Sequence, residues 1–208
     1  MIRIKSSAWM CGCNGGTMND LMIDTETTGT SHHSGIISFA AAFFNPDTGD
    51  KGDSIYLRLD WVSATRNGAV IDPETFCFWL EQSTETRLEA VRKDECVSER
   101  DGTYALINFI EQHADIRRVR VWAKSPVFDC SLIRDMCDRS IGVNASAEML
   151  WPFWNERDVR TVEGLATHLG IPLPYTRKDV THHALNDVMG QIRNVTTVFA
   201  ALRGVTEV

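Results

Sequence analysis

Two carboxylates, Asp24 and Glu26, stand one residue apart at the end of the apolar run Leu21-Met22-Ile23, and Gly29 closes the stretch after Thr27 and Thr28. Such a run reads as a buried strand that surfaces carrying acids. Side chains alternate along a strand, so both acids point to one face, with Cα atoms roughly 6.5 Å apart at ~3.3 Å rise per residue. Both can therefore reach one small ion. Like charges this close repel unless a cation or a proton separates them. A solvated strand end has the same appearance in isolation, so the pair acquires meaning only from acids elsewhere in the chain.

Two further acids stand on helices. After the apolar segment Val119 to Ala123, Pro126 stops the strand and a helix starts near Phe128 with the stripe Leu132, Ile133, Met136. Counting back three or four residues places Asp129 on that inward line. A capping acid at the positive helix end is the plain structural alternative. The clearest helical period in the chain is Ala184, Leu185, Val188, Ile192, Val195, Phe199, Leu202, with Asp187 at the edge of the stripe and His182 and His183 just before it. On a continuous helix His183 and Asp187 are four apart and share a face. A lone His there is more often a hydrogen-bonding residue than a catalyst, but this one accompanies an acid.

The elements that must position these residues follow from period and turn chemistry. Ile36 to Phe44 is a second apolar strand, Asn45-Pro46-Asp47-Thr48-Gly49-Asp50 is a turn, and Ser54 to Leu59 alternates as a third strand. This predicts an antiparallel meander with the acid-bearing strand first. From Asp72-Pro73-Glu74-Thr75 the period becomes helical, with Phe76, Trp79 and Leu80 as the apolar stripe. A short helix at Thr84 to Val91 and a longer one through Tyr104, Leu106, Ile107 and Ile110 precede the strand at Val119. A meander followed by alternating helices and strands implies an α/β fold with a mixed sheet and helices on its faces.

Composition sets the bounds. At 208 residues, 43% hydrophobic and 24% charged, the chain is an ordinary globular domain with room for a core. Its net charge of −7 argues against a broad electrostatic grip on nucleic acid, yet two divalent ions, adding +4, would bring the count to −3. Cys11, Cys13, Cys77, Cys96, Cys130 and Cys137 form no C-x-x-C pair and read as reduced thiols of a cytoplasmic protein. No apolar run approaches the ~18 residues of a membrane helix. Residues 1–17 show no period and read as a flexible extension, leaving residues 18–208 as the folded domain, with Met18 as an alternative start.

Taken together, Asp24-x-Glu26, Asp129 and His182-x4-Asp187 resemble the DEDDh class of 3'-5' exonucleases, which has a ribonuclease H-like fold. The phrases Trp122-Ala123-Lys124-Ser125-Pro126-Val127-Phe128-Asp129, Glu156-Arg157-Asp158-Val159-Arg160-Thr161 and His182-His183-Ala184-Leu185-Asn186-Asp187 look most like its phage and prophage branch of exodeoxyribonucleases and exoribonuclease-like members. The resemblance implies a mixed central sheet of three antiparallel strands followed by parallel ones, and hydrolysis at nucleic-acid 3' ends assisted by two Mg2+ or Mn2+ ions. Such ions about 3.5–4 Å apart can clamp the attacking and leaving oxygens, and hard cations take oxygen ligands. By resemblance Asp24 bridges the ions, Glu26 and Asp187 hold the first, and Asp129 supports the second. The family pattern of His followed by Asp five residues later selects His182 as the base, which requires His182 to lie outside the regular helix. Imidazole is suited to that role because it exchanges its proton near physiological pH.

Substrate contacts are expected from Thr27 and Thr28 and from Arg157 and Arg160 on phosphate. Relatives often carry a bulky apolar wedge after the Thr-Thr-Gly of the first motif, but here Thr30 follows Gly29. Trp151, Phe153 and Trp154 can stack bases, although aromatic residues this dense read first as core. The partner implied is nucleic acid with a free 3' end, DNA or RNA, with no membrane; a homo-oligomer is left open. Two other readings remain at this stage: a catalytically silent nucleic-acid-binding module of the same fold, and a phage interaction protein with a structural divalent-cation site.

Overall fold

The computed structural model describes residues 18–91, 94–176 and 182–205. The expected extension at residues 1–17 lies outside them. In chain order the elements are β1 (Asp20–Thr27), β2 (Ile36–Phe44), β3 (Lys51–Arg58), α1 (Trp61–Arg66), α2 (Pro73–Glu81), α3 (Thr84–Val91), α4 (Glu99–Glu111), β4 (Arg120–Ala123), α5 (Pro126–Ile141), α6 (Ala145–Met149), β5 (Glu156–Asp158), α7 (Val159–Leu169) and α8 (Ala184–Val205).

The strands form one sheet in the order β3-β2-β1-β4-β5. β1 to β3 pair antiparallel, and β1, β4 and β5 pair parallel. This is the mixed α/β sheet expected from the sequence, with β1 at its centre. Helices cover both faces. Leu21 and Ile23 point to one side, where Leu106, Ile110, Leu132, Met136 and Trp151 pack. Met22 points to the other, against Val159, Val188, Ile192 and Val195. All nine residues of β2 are buried, as expected of a strand covered on both faces.

The start of β1 is locked in register by a buried acid. Asp20 accepts hydrogen bonds from the Arg120 guanidinium and from the Trp122 indole at 2.8 Å. The parallel ladder then joins Asp20 to Arg120, Leu21 to Val121 and Met22 to Trp122, and goes no further. Pro126 has no N–H to donate and serves as the first residue of α5. From Asp24 onward β1 therefore runs beyond its β4 partner, and the first turn of α5 comes in beside it. Crevices at the carboxyl ends of strands are where open α/β sheets bind ligands.

α4 carries the expected stripe at Leu106, Ile107 and Ile110 and begins at Glu99, where the Ser98 hydroxyl accepts from the Asp101 amide and caps it. Other elements differ from the expectation. α2 forms where expected, yet none of its residues is buried. Phe76 and Leu80 are 52% and 53% exposed, and Trp79 alone turns inward, donating its indole N–H to the Thr27 carbonyl at 2.9 Å. A helical period identifies a helix, not whether another layer covers it. The aromatic cluster divides: Trp151 is core, whereas Phe153 and Trp154 are exposed and pack edge to face on each other. Among the described residues no helix is long and apolar enough to cross a membrane.

Candidate active site

Asp24 and Glu26 share the α8-facing side of β1, as the strand's alternation requires, and both are half-buried. Asp187, in the first turn of α8, is buried opposite them. Carboxylate oxygens of Asp24, Glu26 and Asp187 lie within 4.8 Å of one another. Asp129 is buried in the first turn of α5 and reaches the same place from the other side of the sheet. There Thr25, which points opposite to Asp24 and Glu26, donates its hydroxyl to Asp129 Oδ1 at 2.7 Å.

The electrostatics follow from this crowding. Burial pushes the Asp24 carboxyl well above the usual range, and the charges of Asp129, Glu26 and Asp187 push it further, against a hydrogen bond from Gln191. Glu26 is raised to about 8 by burial and by Asp187 and Asp129. Asp129 is raised to about 6 by burial, tempered by the bond from Thr25. Among the described residues no cationic side chain contributes to these three shifts. Carboxylates crowded this closely are unfavourable unless protons or cations neutralise them. An all-oxygen donor set of this kind fits a hard divalent cation such as Mg2+ or Mn2+.

His182 lies outside α8, with its backbone at φ 52°, in the left-handed region. Its ring meets the rings of Phe78 at 5.0 Å and Trp79 at 6.2 Å between centroids. Because Trp79 also holds the Thr27 carbonyl, His182 is tied through that indole to the strand end next to Glu26. His183 takes a different place. Its carbonyl accepts from the amides of Asn186 and Asp187 at the start of α8, and its ring stacks on Tyr56 at 4.6 Å. Among the described residues its buried Nδ1 has no hydrogen-bond partner.

The remaining expected contacts are dispersed. The Thr27 hydroxyl donates to the Gly29 carbonyl, and the Thr28 hydroxyl donates to Val70 and accepts from the Gly35 amide. Both side chains are buried and build the loop after β1. Gly29 is required in that loop, since a Cβ there would come within 2.6 Å of Ser34 Oγ and 3.0 Å of Asp72 Cβ. Arg160 is exposed in the first turn of α7, at the acid-bearing end of the sheet. Arg157 folds back onto the carbonyls of Trp154 and Glu156. Phe153 and Trp154 precede β5, which runs parallel to β4 and thus starts at the sheet end away from the acids. They are not brought to the acid cluster.

Three polar residues of the site escaped the sequence reading. Thr25 holds Asp129, Gln191 donates its amide to Asp24 Oδ1 at 2.8 Å, and the Tyr175 hydroxyl donates to Asp187 Oδ1 at 2.5 Å. The available signal was Gln191 at four residues beyond Asp187, a polar side chain set into an otherwise apolar stripe.

Comparison with known proteins gives the family and the fold. The family described as the 3'-5' exoribonuclease Rv2179c-like domain matches residues 19–199. An exodeoxyribonuclease of Enterobacteria phage T4 is 28% identical over 191 residues, covering 82% of this chain and 84% of that protein. Among solved structures, E. coli Exonuclease I in complex with a dT13 oligonucleotide aligns with a TM-score of 0.62 and 15% identity, over 90% of this chain and 42% of that one. Exonuclease I from the moderately thermophilic Methylocaldum szegediense aligns at 0.59 and 16%, over 89% and 42%. The chain thus spans about two fifths of the length of these exonucleases, and at such identities the likeness is one of fold. With the match running through nearly all described elements, the chain belongs to the 3'-5' exoribonuclease Rv2179c-like domain family and is a 3'-5' exonuclease of ribonuclease H-like fold.

Proposed function

We propose that residues 18–208 act as one nuclease domain that hydrolyses the terminal phosphodiester bond at a nucleic-acid 3' end and releases 5'-mononucleotides, assisted by two divalent cations, Mg2+ or Mn2+. The observation that carries this reading is the convergence of Asp24, Glu26 and Asp187 within 4.8 Å, with Asp129 close enough to raise the first two. Asp24 feels the charges of Glu26, Asp187 and Asp129 and would serve both cations. Glu26 and Asp187 complete one set, and Asp129 supports the other. When bound, the cations supply Lewis-acid stabilisation of the attacking water and of the leaving oxygen.

The chain's own residues supply orientation and proton transfer. Gln191 and Thr25 fix the carboxylates of Asp24 and Asp129, so little reorganisation is needed when charge develops. His182 accepts the proton of the attacking water. Its position outside α8 and its packing on Phe78 and Trp79 support that role over His183, whose ring stacks on Tyr56. The loop built by Thr27 and Thr28 presents its backbone to the terminal nucleotide. Arg160 meets phosphate at the acid-bearing end, and Arg157 contributes to the same strand path from β5.

The partner is nucleic acid with a free 3' end. The family description names an exoribonuclease and the phage T4 relative is an exodeoxyribonuclease, so both polymers belong in the test. Matched 3'-labelled single-stranded DNA, duplex DNA and RNA are digested with Mg2+ or Mn2+, beside Asp24→Ala. Metal-dependent release of labelled mononucleotide, absent in the variant, is expected. Binding of the same oligonucleotides without any release would mean a silent binding module and overturn the proposal.

A further inference from the structure

Asp187 is braced from behind by a second side chain that α8 is shaped to receive. Asp187, Gly190 and Asn194 fall at i, i+3 and i+7, on one face of the helix. Each meets a different part of Tyr175. The Tyr175 hydroxyl donates to Asp187 Oδ1 at 2.5 Å. Its ring lies against Gly190, where a Cβ would come within 2.5 Å of ring carbons. Its backbone is held at both ends by Asn194, which accepts from the Tyr175 amide at 2.9 Å and donates to its carbonyl at 2.8 Å.

The brace continues outward. The Asn194 amide also donates to Glu163 Oε1 at 2.8 Å, and Lys124 Nζ pairs with that carboxylate at 3.2 Å. Asn194 is fully buried and Tyr175 is 4% exposed. The Arg193 guanidinium stands 6.0 Å from the Tyr175 ring centroid. α7, α8, the loop after β4 and the segment at Tyr175 are thereby joined into one polar network that ends on Asp187.

We propose that Tyr175 is a positioning residue for Asp187, holding its carboxylate in the orientation that a divalent cation requires. The inference rests on the metal-dependent reading given above. A phenylalanine would fill the slot at Gly190 equally well, so a purely structural plug has no need of the hydroxyl. The carboxylate does need it. Asp187 has two other carboxylates within 4.8 Å, and repulsion favours a rotation that takes it away from them. A neutral phenol donor opposes that rotation without adding charge or competing as a ligand. Partners that orient ligating side chains are worth roughly 10–100-fold in metal affinity.

The test is a titration of the full chain with Mn2+ alone, followed by calorimetry and by the electron paramagnetic resonance of free Mn2+, for wild type, Tyr175→Phe and Gly190→Ala. Wild type is expected to bind Mn2+, and Tyr175→Phe to bind about tenfold more weakly, with an unchanged metal-free melting temperature. Turnover of Tyr175→Phe recovers at high Mn2+, so the apparent metal requirement moves while kcat at saturation does not. Gly190→Ala keeps the hydroxyl but displaces the ring, and weakens Mn2+ binding in the same direction. Wild-type affinity in both variants overturns the role of Tyr175 and leaves the nuclease reading standing. A wild type that binds no Mn2+ overturns the metal reading itself, and the proposal with it.

Discussion

Thr25 and Asp129, 104 residues apart in sequence, are joined by a hydrogen bond of 2.7 Å from hydroxyl to carboxylate. Thr25 stands between Asp24 and Glu26 in sequence but on the opposite face of β1. One strand therefore orients acids on both sides of the sheet, two directly and a third through its threonine. The bond also lowers the Asp129 carboxyl against the upward push of burial.

Thr25→Val removes that donor at nearly constant volume. The Asp129 carboxyl then rises above its value of about 6, and the acid limb of the pH–rate profile moves to higher pH. Turnover at pH 6 is expected to fall about tenfold and to recover in part by pH 8, while Thr25→Ser stays close to wild type. An unmoved acid limb in Thr25→Val counts against this account.

Stability of the metal-free protein should decline as pH rises. Asp24, Glu26 and Asp129 all have native pKa values above their ordinary ones, with Glu26 at about 8. The native state therefore binds more protons than the unfolded chain between about pH 4 and pH 8, and each proton lost across that window destabilises it. Urea denaturation in EDTA should give a lower free energy at pH 8 than at pH 5, and added Mg2+ should remove most of the difference. Glu26→Gln, which deletes one of the crowded charges, is expected to stabilise the metal-free protein at pH 8 by about 2 kcal/mol while abolishing turnover.

Cation binding at neutral pH should expel protons, because Glu26, raised to about 8, is largely protonated there and must ionise to bind. Calorimetric enthalpies of Mn2+ binding at pH 7 should vary with the ionisation heat of the buffer, with a slope of about one proton or more. A slope of zero would show that the acids are already ionised in the metal-free protein.

The two histidines should separate by phenotype. His182→Ala is expected to lower kcat by about 10²–10⁴-fold with an unchanged melting temperature. His183→Ala removes the ring stacked on Tyr56 and should cost about 1 kcal/mol of stability with a much smaller loss of turnover. The reverse pattern, measured by single-turnover kinetics and thermal melts, would assign proton transfer to His183.

The acids were legible in the sequence because each one interrupts an apolar pattern at a defined place. Asp24 and Glu26 end a strand, Asp129 lies on the line of Leu132 and Met136, and Asp187 borders the stripe of α8. Elements without such a pattern were not legible. β5 has three half-buried residues, Glu156, Arg157 and Asp158, and is a strand only because it pairs with β4. α1 is six residues long and starts at the Asp60 cap. Exposure of Phe153, Trp154 and much of α2 was equally hidden, since apolar residues announce that they can be buried, not whether anything arrives to cover them. Tyr175, Gln191 and Asn194 acquire their partners only through tertiary packing.

The Gln191 to Asp24 bond spans 167 residues, and the α8 that carries it emerges late from the ribosome. A nascent chain that has reached β5 already holds the first strand, the Asp129 helix and most of the sheet, yet it lacks Asp187 and so has no complete cage of acids. The set of acids is therefore complete only once α8 has docked on β1, so the site forms together with the long-range fold.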